Sequence, residues 1–68
     1  MFNAKKNQKF ESKVSGNVIR VRDVKSDRHD NRYSRVTVVN LDERNRAVKD
    51  SERKIYMDSI RRRYYETV

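Results

Sequence analysis

The stretch RVTVVNL, residues 35–41, decides the fold of this chain. Val36 and Val38 alternate with polar side chains, which is the period-two pattern of a strand that buries one face. Val39 and Leu41 then shift to the other parity. The stretch therefore predicts a β-strand with a twist or bulge near its end.

The segment before it, KVSGNVIRVRDVK at residues 13–25, is rich in β-branched side chains, which fit a pleated sheet better than a helix. Ile19 and Val21 share one face, whereas three further valines fall on the other parity. Gly16, the only glycine, predicts a bulge or bend that resolves part of this conflict. Residues 26–34 are rich in Asp, Asn and Ser, which predicts a hairpin loop.

The segment after it predicts a strand, a helical turn and a last short strand. Residues 54–57 alternate as a strand with its apolar side chains inward. Asp58 and Ser59 are good N-caps for one helical turn near residues 58–64. The chain then returns to extended structure over residues 65–68.

These elements predict an all-β fold: a small antiparallel SH3-like barrel of four to five strands, with one short helical turn near the C-terminus. We expect residues 1–12 to form a basic flexible arm and residues 13–68 a single small β domain. A short first strand near Phe10 is the alternative for the end of the arm. An α+β fold with a longer C-terminal helix is the main alternative. The segment VTVV followed by IYMDSIRRRYYETV covers the last half of the chain. It resembles small SH3-like β-barrel accessory proteins of bacteriophages and mobile elements. The resemblance implies a compact accessory protein with a regulatory role toward nucleic acid or a host enzyme, in the host cytoplasm.

The chain is strongly basic. Its 68 residues include 18 Lys and Arg against 10 Asp and Glu, for a net charge of +8. Such a charge attracts nucleic acid, an anionic membrane surface or an acidic protein face, although a small protein also needs net charge for solubility. The apolar fraction of 34% is lean for a lone core, so a partner or a second copy (a homodimer) is a further source of stability.

Catalytic, metal and membrane functions find little support in the residues. The chain has no Cys, and its one histidine, His29, lies between Asp27 and Asp30 in a stretch that we interpret as a solvated loop. We expect a non-enzyme with no catalytic residues, metal or cofactor. No apolar run approaches the roughly 18 residues of a membrane span, so we expect a soluble cytoplasmic protein.

We expect nucleic acid, DNA or RNA, as the partner, bound mainly through its phosphates. The candidate contacts on strands are Arg20, Arg22 and Arg35, which share an outward face unless the register keeps them apart. Those of the helical turn are Arg61, Arg62 and Arg63, and those of the arm are Lys5, Lys6 and Lys9. Candidate stacking or interface residues are Tyr33, Tyr56 and Tyr65. The alternative is a protein–protein interaction module, such as an inhibitor or adaptor that binds an acidic surface of a host enzyme.

Overall fold

The structure, a computed structural model, describes residues 2–67. Its strands form one antiparallel sheet in the order β4-β3-β2-β1-β5. The elements, in chain order, are β1 (Lys9–Ser12), β2 (Val18–Lys25), a 3₁₀ turn (Asn31–Tyr33), β3 (Arg35–Leu41), β4 (Arg53–Tyr56), α1 (Met57–Arg63) and β5 (Tyr64–Glu66).

The all-β prediction is confirmed, with five strands and one short helix near the C-terminus. α1 joins the two edge strands β4 and β5 along the chain, and these strands are not hydrogen-bonded to each other, so the sheet stays open. The alternative with a longer helix is wrong, because Tyr64 has the extended dihedrals φ −131° and ψ 151°.

The core lies between one face of the sheet, the core face, and α1. Met57 and Ile60 of the helix are 2% and 0% exposed, and they cover strand residues that are equally buried. These strand residues are Phe10, Ile19, Val21, Val36 and Val38. The opposite side of the sheet is called the outer face below.

The predicted flexible arm is wrong for much of residues 1–12. Lys9–Ser12 forms β1, which pairs with both β2 and β5. Phe10 is fully buried and Ala4 is 3% exposed, so both belong to the domain core. Met1 and Val68 lie outside the described residues. The alternative, a short first strand near Phe10, is what the structure has. It was not the leading prediction because one aromatic residue in a basic stretch gives no alternating pattern.

The apolar residues of β2 fall on both odd and even positions because this strand has a bulge. The bulge predicted for β3 is not there. The register of β2 against β3 shifts between Val21 and Asp23, which turns the later Val24 back toward the core face. β3 itself pairs without interruption. Val39 and Leu41 instead point to the outer face and are buried there, so β3 has apolar side chains on both faces.

Gly16 makes a bend between β1 and β2. Its φ is +77°, in the left-handed region that glycine tolerates best. Val14, in the same turn, is 94% exposed and plays no part in the core.

Candidate functional site

The outer face brings three cations close together near the start of β3. Lys25 of β2 lies directly opposite Arg35 of β3. Lys54 of β4 faces Thr37, one step along the same face. Cross-strand neighbours on one face have Cβ atoms about 5 Å apart, so like charges in this arrangement repel each other.

Two exposed tyrosines complete this cluster. Tyr56 lies opposite Arg35 across the β3–β4 pair, and the Arg35 guanidinium stands 5.8 Å from the centre of its ring. Tyr33 meets Tyr56 edge to face, with ring centroids 6.2 Å apart. The tyrosines are 56% and 46% exposed, respectively. The basic–aromatic patch, as it is called below, consists of Lys25, Tyr33, Arg35, Lys54 and Tyr56.

A groove of about 220 Å³ runs beside the patch. Lys25, Arg35 and Lys54 line it, together with the carboxylates of Asp23 and Asp27. The groove is therefore of mixed charge, with one more cation than carboxylates. A bound phosphate would fit best on the side formed by β3 and β4, because both carboxylates come from β2 and the loop that follows it.

The loop carboxylates already have partners within the loop. Asp27 accepts backbone N–H bonds from His29 and Asp30 at 2.8 and 3.2 Å, and these bonds hold its pKa below the usual value. The Arg32 guanidinium donates to Asp30 at 2.6 Å, which lowers the pKa of that carboxyl and raises the pKa of Arg32. Asp27 therefore organises the loop, and Arg32 is an ion-paired cation.

The three candidate arginines of the helix are exposed, but two of them share one carboxylate. Arg61 donates to Asp58 at 2.9 Å, and Arg62 lies 3.6 Å from the other oxygen of the same carboxylate. The hydrogen bond from Arg61 is the main reason that the pKa of Asp58 is lowered. Arg63 has no ion pair within residues 2–67.

The predicted strand arginines share the outer face only in part. Arg20 lies opposite Val39, four residues from Arg35 along β3, or about 13 Å at the usual rise of a strand. Arg22, at the bulge, pairs with Glu52 at 3.6 Å. The register thus keeps Arg20 and Arg22 apart from Arg35.

Arg20 and Lys9 form a second pair of like charges on the outer face. They lie directly opposite each other across β1 and β2, and both are half-buried. Lys5 and Lys6 are exposed and precede β1. The structure does not bring these two lysines to the patch.

Tyr65 lies on β5, at the opposite edge of the sheet from Tyr56. It is 59% exposed, and the Lys13 ammonium stands 4.9 Å from its ring centre. Tyr65 is therefore a second, separate aromatic–cation pair and not part of the basic–aromatic patch.

Sequence reasoning missed Lys25 and Lys54. The signal for Lys54 was present, since a strand with Ile55 inward turns both Lys54 and Tyr56 outward. Lys25 could not be placed, because its position opposite Arg35 depends on the bulge at Arg22.

Comparison with known proteins finds no family model, curated protein or solved structure that matches this chain. The resemblance to phage accessory proteins therefore stays a prediction. Within residues 2–67, no helix is both long and apolar enough to cross a membrane.

Proposed function

We propose that this protein is a small nucleic-acid-binding accessory protein that contacts phosphates through the basic–aromatic patch. The observation that supports this most directly is the placement of Lys25 opposite Arg35. Two like charges in directly opposite positions destabilise a sheet, and a bound phosphate would relieve that repulsion.

The ion pairs of four arginines outside the patch favour the patch over these four as the phosphate site. Arg22, Arg32, Arg61 and Arg62 each lie within 4 Å of a carboxylate, at 3.6, 2.6, 2.9 and 3.6 Å. The three cations of the patch make no ion pair with a carboxylate in the part of the chain that the structure describes. They are therefore available to an external anion without breaking an existing ion pair.

Phosphate contacts of this kind give affinity and orientation but little sequence specificity. Sequence reading in duplex DNA usually takes a helix or a two-stranded ribbon in the major groove. α1 has only seven residues, and Arg61 and Arg62 are bonded to Asp58. We therefore expect weak sequence preference.

Fluorescence anisotropy tests the proposal with labelled DNA and RNA, single- and double-stranded, from about 50 to about 200 mM salt. We expect binding that weakens steeply with salt and that the double variant Lys25→Glu/Arg35→Glu abolishes. The matched control is Arg44→Glu/Lys49→Glu, which makes the same charge change in the loop between β3 and β4, at the other end of β3. Absence of binding to every polymer at low salt would overturn the proposal, as would equal losses in both variants.

A groove of about 420 Å³ on the helix side favours a second candidate, a module that binds an acidic protein surface. Phe2 and Met57 contribute its apolar lining, and Arg32 and Arg61 border it. An acidic partner would have to compete with Asp30 and Asp58 for these arginines. Binding of this kind should survive moderate salt and should be lost in Arg61→Ala, whereas the patch variants should retain it.

A further inference from the structure

We infer that the basic–aromatic patch selects single-stranded nucleic acid, with an unpaired base stacked on Tyr56 and the adjoining phosphates on Lys25, Arg35 and Lys54. This inference rests on the proposed function and adds the form of nucleic acid that is bound. It covers both DNA and RNA, since every base offers a flat face for stacking.

The two exposed tyrosines are held in place by a buried residue between them. Ser34 is fully buried, and its carbonyl accepts a 2.8 Å hydrogen bond from the backbone N–H of Met57. Tyr33 precedes Ser34 and Tyr56 precedes Met57, so this one bond ties the backbones of both tyrosines together. The Ser34 hydroxyl also donates to Asn31 and accepts the N–H of Asp27. The rings are therefore presented to solvent from a fixed backbone, which lowers the entropy lost on binding.

The Arg35 side chain covers the ring of Tyr56 and is free to move away from it. The guanidinium of Arg35 stands over the Tyr56 ring but has no carboxylate partner within residues 2–67. Arg32 stands over Tyr33 in the same way, at 5.7 Å, but its charge is fixed on Asp30. Arg35 can thus move from the ring to a phosphate, which exposes the face of Tyr56 to a base. An exposed cation–π contact is weaker than the stacking of a base on an aromatic ring, so the exchange is favourable.

The shape of the site favours a single strand over a duplex. A duplex keeps its bases stacked within the helix, where a tyrosine at the edge of a sheet cannot reach a base face. The groove of about 220 Å³ is also smaller than common small-molecule pockets of about 300–1,000 Å³, so it suits a phosphate and part of a sugar. A strand that lies across β4 and β3 can place a base on Tyr56 and a phosphate beside Arg35 at once.

The test measures anisotropy with labelled oligothymidylate, oligouridylate and a duplex of equal length at one low salt concentration. We expect both single strands to bind at least about tenfold more tightly than the duplex, and Tyr56→Leu to lose about tenfold on the single strands alone. Tyr56→Phe keeps the ring and should bind as the wild type does. Tyr65→Leu is the matched control, because it removes a tyrosine that is exposed at least as much and has its own cation, from the opposite edge of the sheet. Circular dichroism verifies that each variant is folded.

The outcomes separate this inference from the proposed function. If the duplex binds as tightly as the single strands, or if Tyr56→Leu binds single strands like the wild type, stacking is wrong. Nucleic-acid binding then still stands, provided that Lys25→Glu/Arg35→Glu abolishes it. If no polymer binds, both are wrong. If only one of the two single strands binds, the claim that the patch accepts both DNA and RNA is wrong, and the ribose or the base identity decides the partner.

Discussion

Lys25 and Arg35 show how one pair of residues can oppose folding and favour binding. Both lie on the outer face, directly opposite each other, and Tyr56 continues the row on β4. A salt bridge or an apolar pair in these positions would stabilise the sheet better. A site that must attract an anion keeps its cations out of ion pairs. Asp23 and Asp27 line the same groove, but within residues 2–67 neither forms an ion pair with these two cations.

Removing one charge of this pair should therefore stabilise the free protein. We expect Lys25→Gln to raise the free energy of unfolding by about 0.2–1 kcal/mol and to weaken nucleic-acid binding. Urea unfolding and anisotropy measure the two effects. The control is Lys54→Gln, which faces Thr37 and not a cation, and which should weaken binding without a comparable gain in stability. Equal stabilisation by both substitutions would show that the repulsion is not local.

Substitution of Asp23 should strengthen nucleic-acid binding, whereas substitution of Lys25 should weaken it. Asp23 lines the groove beside the patch, and its negative charge lies on the β2 side, opposite the side where a phosphate should bind. Asp23→Asn should tighten binding about two- to fivefold at low salt, an estimate from the screened interaction of exposed charges, and the gain should shrink as salt rises. Anisotropy measures both. Asp42→Asn, in the loop at the far end of β3, serves as the control, and a similar gain there would point to net charge alone.

The ion pairs of Asp58 predict a pH dependence of stability. Arg61 and, more weakly, Arg62 lower the pKa of this carboxyl in the folded protein below its usual value of 3.8. The folded state therefore binds this proton less readily than the unfolded state, and stability from Asp58 is present above pH 3.8 and is lost as pH falls through the folded pKa. An NMR titration should give Asp58 a midpoint below 3.8 that rises in Arg61→Ala. An unchanged midpoint would mean that the Arg61 bond does not persist in solution.

At the scale of elements, a strand whose apolar and polar residues alternate could be predicted from the sequence. A strand that is defined only by its hydrogen bonds to neighbouring strands could not. β3 follows from its apolar spacing. The short helix was predicted near residues 58–64 from Asp58 and Ser59 as N-caps, but it begins at Met57, with Tyr56 at the N-cap position and no side-chain cap bond. β1 has only Phe10 to mark it, and its place between β2 and β5 comes from tertiary contacts. The bulge at Arg22 is likewise a property of the strand pair, so the partners of Lys25 and Arg35 could not be read from spacing.

The turn between β1 and β2 predicts a specific tolerance at Gly16. A Cβ on this residue would have open space within 4 Å, so only its φ of +77° opposes substitution. Gly16→Ala should cost about 1–2 kcal/mol of unfolding free energy, and Gly16→Asn clearly less, because Asn adopts the left-handed region more readily. Asn7 and Asn45 already do so in this chain, at φ 72° and 62°. Equal costs in urea unfolding would contradict a purely conformational effect.

Seen as a whole molecule, the protein carries a net charge of +8, but its cations are not equivalent. Arg61 and Arg62 share the carboxylate of Asp58, whereas Lys25 and Arg35 lie directly opposite each other and form no ion pair within residues 2–67. Cations that replace condensed counterions on a nucleic acid set how steeply binding depends on salt, at about 0.7 per phosphate for a single strand. If net charge alone set the salt dependence of binding, removing any two arginines or lysines would change it by the same amount.

The salt slope of binding separates these two views. Lys25→Ala/Arg35→Ala should reduce the slope of log affinity against log salt by about 1.4, since two phosphate contacts are lost. Arg61→Ala/Arg62→Ala removes the same formal charge from the helix and should leave the slope nearly unchanged, because Asp58 already neutralises part of that charge. Anisotropy titrations at four or more salt concentrations measure both slopes on one single-stranded probe. If the slope falls as much in the helix variant as in the patch variant, the helix also contacts phosphates. The surface that contacts nucleic acid must then extend from β3 and β4 onto α1.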